Sequence, residues 1–213
     1  IKLENYTVFE DHQIEFDPGI NIFIGENGTG KTHLFKVLYS ECQCVDQRVS
    51  FSHKLVSTML PDDYKISRLI TRKQGNRSAL IRIFAGERDV TQERVLSASF
   101  HGKTKKWDAE VTGEKGWDEP ESNINPSYIS IIVELLLELQ RKGVQVFVST
   151  HDYMIASYFE VRKAKNDSIA FHSLSHVGKT CDLIYEKKEK FADLKNNAIV
   201  SAFDKLLDEI YEL

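Results

Sequence analysis

The feature that most constrains this chain is a glycine-rich segment at residues 25–32, with the sequence Gly-Glu-Asn-Gly-Thr-Gly-Lys-Thr. It fits the pattern Gly-x-x-x-x-Gly-Lys-Ser/Thr of a phosphate-binding P-loop. The apolar run at residues 20–24 predicts a buried strand before the segment, and residues 33–39 predict a helix after it. Because a P-loop needs both neighbours, this context favours the motif over a chance match in a turn.

The residue types of this loop each have a physical reason to contact phosphate. Glycines let backbone N–H groups turn inward around a β-phosphate, and the helix N-terminus adds partial positive charge. Lys31 can reach the β- and γ-phosphates, and Thr32 can offer its hydroxyl to Mg²⁺. The predicted nucleotide-binding residues are Gly25, Glu26, Asn27, Gly28, Thr29, Gly30, Lys31, Thr32 and His33.

A second informative segment, at residues 117–126, has the sequence Trp-Asp-Glu-Pro-Glu-Ser-Asn-Ile-Asn-Pro. A P-loop ATPase needs an acidic residue that holds Mg²⁺ and a neighbouring group that activates or orients water. Asp118 and Glu119 supply this pair, which an acidic loop without a function would not normally place after a Gly-Lys-Thr loop. We therefore predict that Asp118, with Thr32, binds the metal and that Glu119 is catalytic.

A histidine follows the next predicted strand. Residues 127–142 predict a well-buried helix that starts at Asn125-Pro126 and ends at Gly143. The short apolar run at residues 144–148 predicts a central parallel strand, and ligands lie at the carboxyl ends of such strands. A lone histidine is usually a surface or core residue, but this position favours a catalytic role for His151 as a sensor of the γ-phosphate.

The other apolar runs predict the rest of the architecture. The predicted strands outside the two motifs are residues 1–9, 12–16, 79–84, 95–100, 107–111, 168–174 and 180–185. The strands at 79–84, 95–100 and 107–111 are predicted to form an antiparallel β-layer added to the nucleotide-binding sheet, and those at 168–174 and 180–185 are predicted to be paired edge strands. Phe9 has two interpretations, a core side chain, which we favour, or a contact beside adenine. Residues 197–213 predict a helix whose apolar stripe packs into the core rather than into a partner.

Composition limits the class of protein. A chain of 213 residues with 41% hydrophobic and 28% charged residues can bury a core and is not disordered. The net charge of −4 gives no global field that attracts nucleic acid, so a contact of this kind needs a local patch. The sequence has two basic clusters. The first is Arg68, Arg72, Lys73 and Arg77, and the second is Lys103, Lys105 and Lys106. A solvated loop face explains both more simply than a contact with a phosphate backbone.

Cysteine usage and hydropathy predict a cytoplasmic protein with no membrane contact. Cys42 and Cys44 are too close in sequence for an ordinary disulfide, and Cys181 stands alone, so we expect reduced thiols. No apolar run is long enough to span a bilayer.

The loop GENGTGKT, the DEPE segment with its Asn-Pro and the STHD that follows an apolar strand together resemble the ATPase heads of the ABC class. More narrowly, they resemble the SMC/RecF-like branch, the bacterial AAA family ATP-binding proteins that include overcoming-lysogenization-defect-type and other defence-associated ATPases. The resemblance implies ATP and Mg²⁺ as cofactors. It also implies that Asp118 is the Walker B aspartate, Glu119 the catalytic base and His151 the switch histidine.

The chain departs from this family before Asp118. The resemblance requires a buried strand before that residue, but residues 112–117 do not have a strand pattern. The glycine-containing signature motif is missing, because residues 96–99 (Leu-Ser-Ala-Ser) alternate like a strand, and Gln74 is only a weak candidate for the Q-loop. We hypothesise that residues holding the Q-loop, helical arm, signature and Walker B strand are absent from this chain between about Glu110 and Trp117.

The predicted fold is therefore an α/β P-loop NTPase of the ABC head type, with a mixed central sheet and an antiparallel β-layer. We expect one head over residues 1–213, with an N-lobe at 1–116 and a C-lobe at 117–213. As the resemblance implies, two heads close head-to-tail over two ATP molecules and reopen after hydrolysis.

The biological output stays open at this point. The first option is a nucleotide-gated component of an antiphage or toxin-like complex, with an effector protein encoded nearby. The alternatives are an ATPase that acts on DNA in repair, with nucleic acid held by the local basic loops, and a degenerate ATP-binding scaffold. The negative net charge favours the first option slightly.

Overall fold

The computed structural model describes residues 1–44, 49–73, 75, 78–85, 94–101, 117–118, 128–177 and 182–211. In chain order, the strands are β1 (Lys2–Tyr6), β2 (Phe9–Gln13), β3 (Ile20–Gly25), β4 (Ser78–Ala85), β5 (Arg94–His101), β6 (Trp117–Asp118), β7 (Val146–Thr150), β8 (Ile169–Val177) and β9 (Asp182–Lys188). The helices are α1 (Lys31–Gln43), α2 (Phe51–Met59), α3 (Ile129–Arg141), α4 (Tyr153–Arg162) and α5 (Ala198–Tyr211). Short 3-10 helices occupy Asp62–Tyr64, Ile66–Leu69 and Phe191–Asp193.

The chain divides into two structural units that differ from the predicted lobes. The first unit contains Ile1–Glu15 and Thr32–Lys115, and the second contains Phe16–Lys31 and Gly116–Leu213. The P-loop strand β3 thus groups with the C-terminal half, because it pairs in parallel with β7 on one side and β8 on the other. Sequence order alone placed it in the N-lobe. The division into a single two-lobed head remains a prediction.

The first unit contains an antiparallel sheet with the strand order β2-β1-β4-β5. The sequence prediction of one strand from residue 1 to 9 was wrong, because β1 ends at Tyr6 and the chain turns back into β2 at Phe9. Thr7, between the two strands, has a φ value of +51°, and Asn5, a residue of β1 that is not paired with β2, has a φ value of +50°; both lie outside the extended region. The β-layer is therefore a separate sheet that includes β1 and β2, and not an addition to the nucleotide-binding sheet.

The second unit contains a mixed five-stranded sheet with the order β6-β7-β3-β8-β9. The strands β6, β7, β3 and β8 are parallel, and β9 pairs antiparallel to β8. The prediction of β8 as an edge strand was wrong, because it lies inside the sheet between β3 and β9. A mixed central sheet with a further antiparallel β-layer confirms the predicted fold class.

One face of this mixed sheet carries the core of the second unit. Alternate residues of β3 (Ile20, Ile22 and Ile24) pack in one cluster with side chains of β7, β8, α3 and α4. The helix α3 begins at Ile129 and is not buried all round, since Ile131 is 62% exposed and lies on the side away from Val133. A helix that rests on one sheet face buries only one stripe, whatever the composition of its other side.

The last helix packs through its N-terminal half. Ile199 and Val200 of α5 contact the core cluster, and the ring of Phe203 stacks on that of Tyr153 in α4 with 4.5 Å between the ring centroids. Leu206 and Ile210, further along α5, are 50% and 52% exposed. The prediction of a core stripe thus holds for the first half of the helix. In the described ranges, no helix is long and apolar enough to cross a membrane.

Candidate nucleotide-binding site

The strand β3 delivers the glycine-rich loop at its carboxyl end. All six residues of β3 are buried, and its last residue, Gly25, lies in register with Leu174 of β8. A Cβ atom on Gly25 would lie 2.0 Å from the carbonyl oxygen of Leu174. Only glycine can therefore begin the loop while β3 stays paired with β8.

The loop itself has the backbone conformation that the motif predicts. Gly28 and Gly30 have φ values of +84° and +93°, and a Cβ atom on Gly28 would meet no atom within 4 Å. The hydroxyl of Thr29 donates to the carbonyl of Glu26 at 2.8 Å and closes the turn between them. Left-handed glycines interspersed with ordinary residues let successive N–H groups point to one side, which forms an anion-binding concavity.

Lys31 places its ammonium group inside this loop. Its side chain is buried, and Nζ donates to the carbonyl oxygens of Gly25 at 2.7 Å and Glu26 at 2.9 Å. Lys31 is also the first residue of α1, a helix of 13 residues. A cation, glycines with positive φ and a helix N-terminus thus share one short segment, and all three favour a bound anion.

The two residues after Lys31 differ in exposure. Thr32 is exposed and His33 is half-buried. Burial, together with the charge of Lys36, lowers the pKa of His33. His33 also lines a groove of about 440 Å³ in the first unit, whose other lining residues include Leu60, Ile70, Arg68 and Arg72.

The other predicted site residues lie at the carboxyl ends of the parallel strands. Asp118 ends β6 and is in register with Ser149 of β7, which is in register with Phe23 of β3. The prediction that no strand precedes Asp118 was wrong for Trp117, which pairs in parallel with Val148. The strand is short, with only two residues, while residues 112–116 lie outside the described ranges.

His151 follows β7 directly and is exposed. Its neighbours fix the backbone, because the hydroxyl of Thr150 accepts from the N–H of Asp152 at 2.9 Å. The carboxylate of Asp152 in turn accepts from the N–H of Met154 at 2.6 Å and caps α4. The sheet thus brings His151, Asp118 and the start of the loop to one edge, whereas Glu119 lies outside the described residues.

The beginning of β3 holds a buried polar network that sequence reasoning missed. The amide oxygen of Asn21 accepts from the N–H of Asp17 at 2.6 Å and lies 3.0 Å from Nε2 of His172. Since that oxygen can only accept, Nε2 of His172 carries the proton, and Nδ1 accepts from the hydroxyl of Tyr185 at 2.9 Å. Burial, with a smaller effect of Lys187, lowers the pKa of His172 to about 3.

Phe9, residues 96–99 and the cysteines were also predicted from the sequence. Phe9 is fully buried in the first unit, which agrees with its interpretation as a core residue. Residues 96–99 lie within β5, so their rejection as a signature helix is confirmed. Neither Cys42 nor Cys44 forms a disulfide within the described part of the chain. Gln74 and Cys181 fall outside the described part of the chain.

The described residues of the basic cluster at positions 68–77 are exposed to solvent. Arg68 and Arg72 are exposed, and Lys73 forms an ion pair with Glu10. Arg68 lies 3.9 Å from the carboxylate of Asp63. Arg77, Lys103, Lys105 and Lys106 are outside the described ranges.

The loop, the helix that follows it and the strand ends at one edge define a P-loop nucleotide-binding domain. The chain belongs to the AAA domain family, which matches it over residues 1–213. This match, together with the likeness to SMC heads and to RecF described next, confirms the resemblance to SMC/RecF-like ATPase heads that was inferred from the motifs.

Two solved structures share the fold. An SMC head bound to the C-winged helix domain of ScpA has a TM-score of 0.61 at 8% identity, with 90% of this chain and 97% of that chain covered. The SMC head domain from Thermotoga maritima has a TM-score of 0.58 at 10% identity, with 88% and 97% covered. At these identities the similarity concerns the fold alone.

Curated relatives align with a shorter part of the chain. The DNA replication and repair protein RecF of Streptococcus agalactiae serotype Ia is 32% identical over 83 residues, which is 39% of this chain and 22% of that protein. RecF of Clostridium kluyveri is 33% identical over 84 residues, again 39% of this chain and 23% of the relative. The alignments thus span less than a quarter of these relatives.

Proposed function

We propose that this chain binds ATP with Mg²⁺ and hydrolyses it. The observation that carries the proposal is the buried ammonium group of Lys31, held inside a loop whose glycines have positive φ at the N-terminus of α1. These features create a concave, positively polarised surface, and polyphosphate is the ligand that this chemistry fits.

The residues present also fit a bound divalent cation. Asp118 at the end of β6 and the hydroxyl of Thr32 are oxygen ligands of the kind that Mg²⁺ prefers. Next to Asp118 in the sheet, the buried hydroxyl of Ser149 has no hydrogen-bond partner within the described structure. Bound Mg²⁺ would neutralise charge on the β- and γ-phosphates.

The proposed roles follow from position. The loop N–H groups and Lys31 hold and orient the phosphates, and Glu119 takes a proton from the attacking water. His151, at the carboxyl end of β7, contacts the γ-phosphate and orients it for attack. Positioning and electrostatic stabilisation then supply most of the rate enhancement.

The variant Glu119→Gln tests the catalytic assignment. It should bind ATP with near wild-type affinity and hydrolyse it at least about 100-fold more slowly, because a general base contributes about this much. Glu121→Gln makes the same change in charge two residues away and serves as the matched control. Hydrolysis at the wild-type rate by Glu119→Gln would show that the assigned base is wrong.

We also propose that two heads associate head-to-tail when ATP is bound. Glu119→Gln should then accumulate a dimer on size exclusion with ATP, and the dimer should disappear without nucleotide. A monomer under both conditions would remove this part of the proposal.

The output of hydrolysis has two candidate forms. A nucleotide-gated component of an antiphage or toxin-like complex, with a nearby encoded effector, is favoured by the net charge of −4. A DNA repair ATPase that acts on ends or gaps is favoured by the similarity to RecF over 39% of the chain. Stimulation of hydrolysis by DNA would select the second form. Co-purification of a protein from the same operon, without stimulation by DNA, would select the first.

The missing signature motif has its own test. We propose that residues are absent from this chain between Glu110 and Trp117. Mass spectrometry of proteolytic peptides that cross this region should find additional residues in the natural protein. A peptide that joins these positions as in the present sequence, within a mass of 24.5 kDa, would favour the degenerate scaffold.

A further inference from the structure

Ser149 is unusual among the buried serines of the described structure. The four buried serines there are Ser40, Ser52, Ser149 and Ser173. Three of them form hydrogen bonds through their hydroxyl groups. The hydroxyl of Ser149, which is 1% exposed, has no partner among the residues that the structure describes. Native proteins seldom leave a buried polar group unpaired, so this one calls for an explanation.

The position of Ser149 in the sheet points to a ligand. It follows Val148 in a strand that is buried along its whole length, and it is in register with Asp118 on one side and Phe23 on the other. Residues in register on adjacent parallel strands lie about 4.8 Å apart. Ser149 therefore stands between the strand that ends in the proposed metal ligand and the strand that leads into the P-loop.

We propose that Ser149 is a positioning residue of the Mg²⁺ subsite, and that its hydroxyl donates a hydrogen bond to the carboxylate of Asp118 in the nucleotide-bound state. This inference rests on the proposed function. A carboxylate that holds a metal is itself oriented by outer hydrogen bonds, and the loss of such a partner weakens metal binding. A hydroxyl with one donor and no described acceptor is suited to that task.

The alternative explanation is that Ser149 only fills a small space in the strand. Alanine would fill that space without burying an unpaired hydroxyl group. A packing role therefore predicts that alanine is tolerated, whereas a positioning role predicts a selective loss of metal binding.

The experiment measures Mn²⁺ binding by electron paramagnetic resonance in the presence of a non-hydrolysable ATP analogue. Ser149→Ala should bind Mn²⁺ about 10-fold more weakly, the lower end of the effect of losing an outer partner. Its affinity for the analogue in excess EDTA should stay at the wild-type value, and Ser149→Thr should retain Mn²⁺ binding. Ser175→Ala, which removes another unpartnered hydroxyl on β8, is the matched control and should behave as the wild type.

The outcomes separate the inference from the function on which it rests. Wild-type Mn²⁺ affinity in Ser149→Ala would overturn the inference and leave the proposed function intact. An equal loss of Mn²⁺ and of metal-free nucleotide binding would also overturn it, since that pattern indicates a general structural defect. If Ser149→Ala does not fold, Ser149→Cys is measured in its place. Failure of the wild type to bind Mn²⁺ with the analogue would remove both proposals.

Discussion

The two ends of strand β3, both in the second unit, differ in how their polar groups are hydrogen-bonded. At its start, Asn21 bonds both backbone groups of Asp17 and the ring of His172. The carbonyl of Asp17 also accepts from Gln145, and its carboxylate accepts from Ser168. At the other end, Gly25 is followed by Gly28 and Gly30, which have positive φ, and by the buried ammonium group of Lys31. The start of the strand is saturated with internal partners, whereas its end presents groups that suit a ligand.

This difference shows how one strand can be held rigidly at its start and still present the proposed phosphate-binding loop at its end. A fully satisfied buried network rigidifies its surroundings, so β3 is fixed between β7 and β8 before the loop begins. Groups that break local rules tend to lie at functional sites, and here they begin at Gly25. We therefore expect substitutions at the end of β3 to impair binding and substitutions at its start to impair stability.

The largest expected effect is at the loop. Lys31→Ala removes the cation that would contact the phosphates, so hydrolysis should fall by about 100-fold or more. The midpoint of thermal unfolding should change little, because the hydrogen bonds from Nζ to the carbonyls of Gly25 and Glu26 stay within the loop itself. Lys36→Ala, further along α1, is the matched control and should keep its activity. A loss of activity that matched a loss of folded protein would mean that Lys31 acts through stability and not through phosphate binding.

The second prediction concerns the start of the strand. Asn21→Leu removes the acceptor of the half-buried N–H of Asp17 and of the buried Nε2–H of His172, which should lower the free energy of unfolding by about 3 kcal/mol. Urea denaturation measures this change, with the exposed Asn166→Leu as a control expected to stay within about 0.5 kcal/mol. Nucleotide affinity of the folded fraction should remain near the wild-type value. A selective loss of nucleotide affinity would place the network in the site.

The sequence predicted the local part of this arrangement well. The bounds of β3 and the position of α1 followed from apolar spacing around the glycines, because strand, loop and helix are consecutive in the chain. The mixed sheet and the fold class followed as well. The roles of Asp118, Glu119 and His151 remain predictions, although the fold brings Asp118 and His151 to the edge of the sheet where the loop begins.

The parts that sequence did not predict depend on contacts between distant residues. Nothing in the pattern of β8 shows that it pairs with β3, which precedes it by more than a hundred residues. Asn21, Ser149 and His172 are polar residues within apolar strands, and a periodicity argument treats them as interruptions. A signal was present, since a polar residue in a buried strand needs a partner, but the partner is visible only in the fold.

The third prediction compares two glycines of the loop. Alanine at Gly25 would overlap the carbonyl oxygen of Leu174, which belongs to β8 and cannot move while the strands stay paired. Alanine at Gly28 meets open space and carries only the strain of a positive φ. Chemical denaturation should find Gly25→Ala less stable than Gly28→Ala by about 2 kcal/mol. Equal stability of the two variants would mean that the close approach of β8 does not constrain the loop.

The smallest expected effect is a pH dependence that comes from the start of β3. The pKa of His172 is about 3 in the folded chain, because burial disfavours the charged ring. The pKa of an unfolded histidine is about 6.5. Above the unfolded value both states are neutral and stability is full. As the pH falls from 6.5 toward 3, only the unfolded state binds the proton, so stability decreases.

At pH 5.5 this linkage should remove about 1.3 kcal/mol relative to pH 7, measured by urea denaturation at both values. His172→Phe keeps a ring next to Phe23, which stacks on His172 at 4.4 Å, but it cannot titrate. The variant will be less stable at every pH because it lacks two hydrogen bonds, yet it should lose less on acidification than the wild type. His33, whose pKa is also lowered, acts in the same direction in both proteins and cancels in their difference. An identical pH slope in the two proteins would show that His172 is not held neutral, and the start of β3 would then lack the closed network that separates it from the loop.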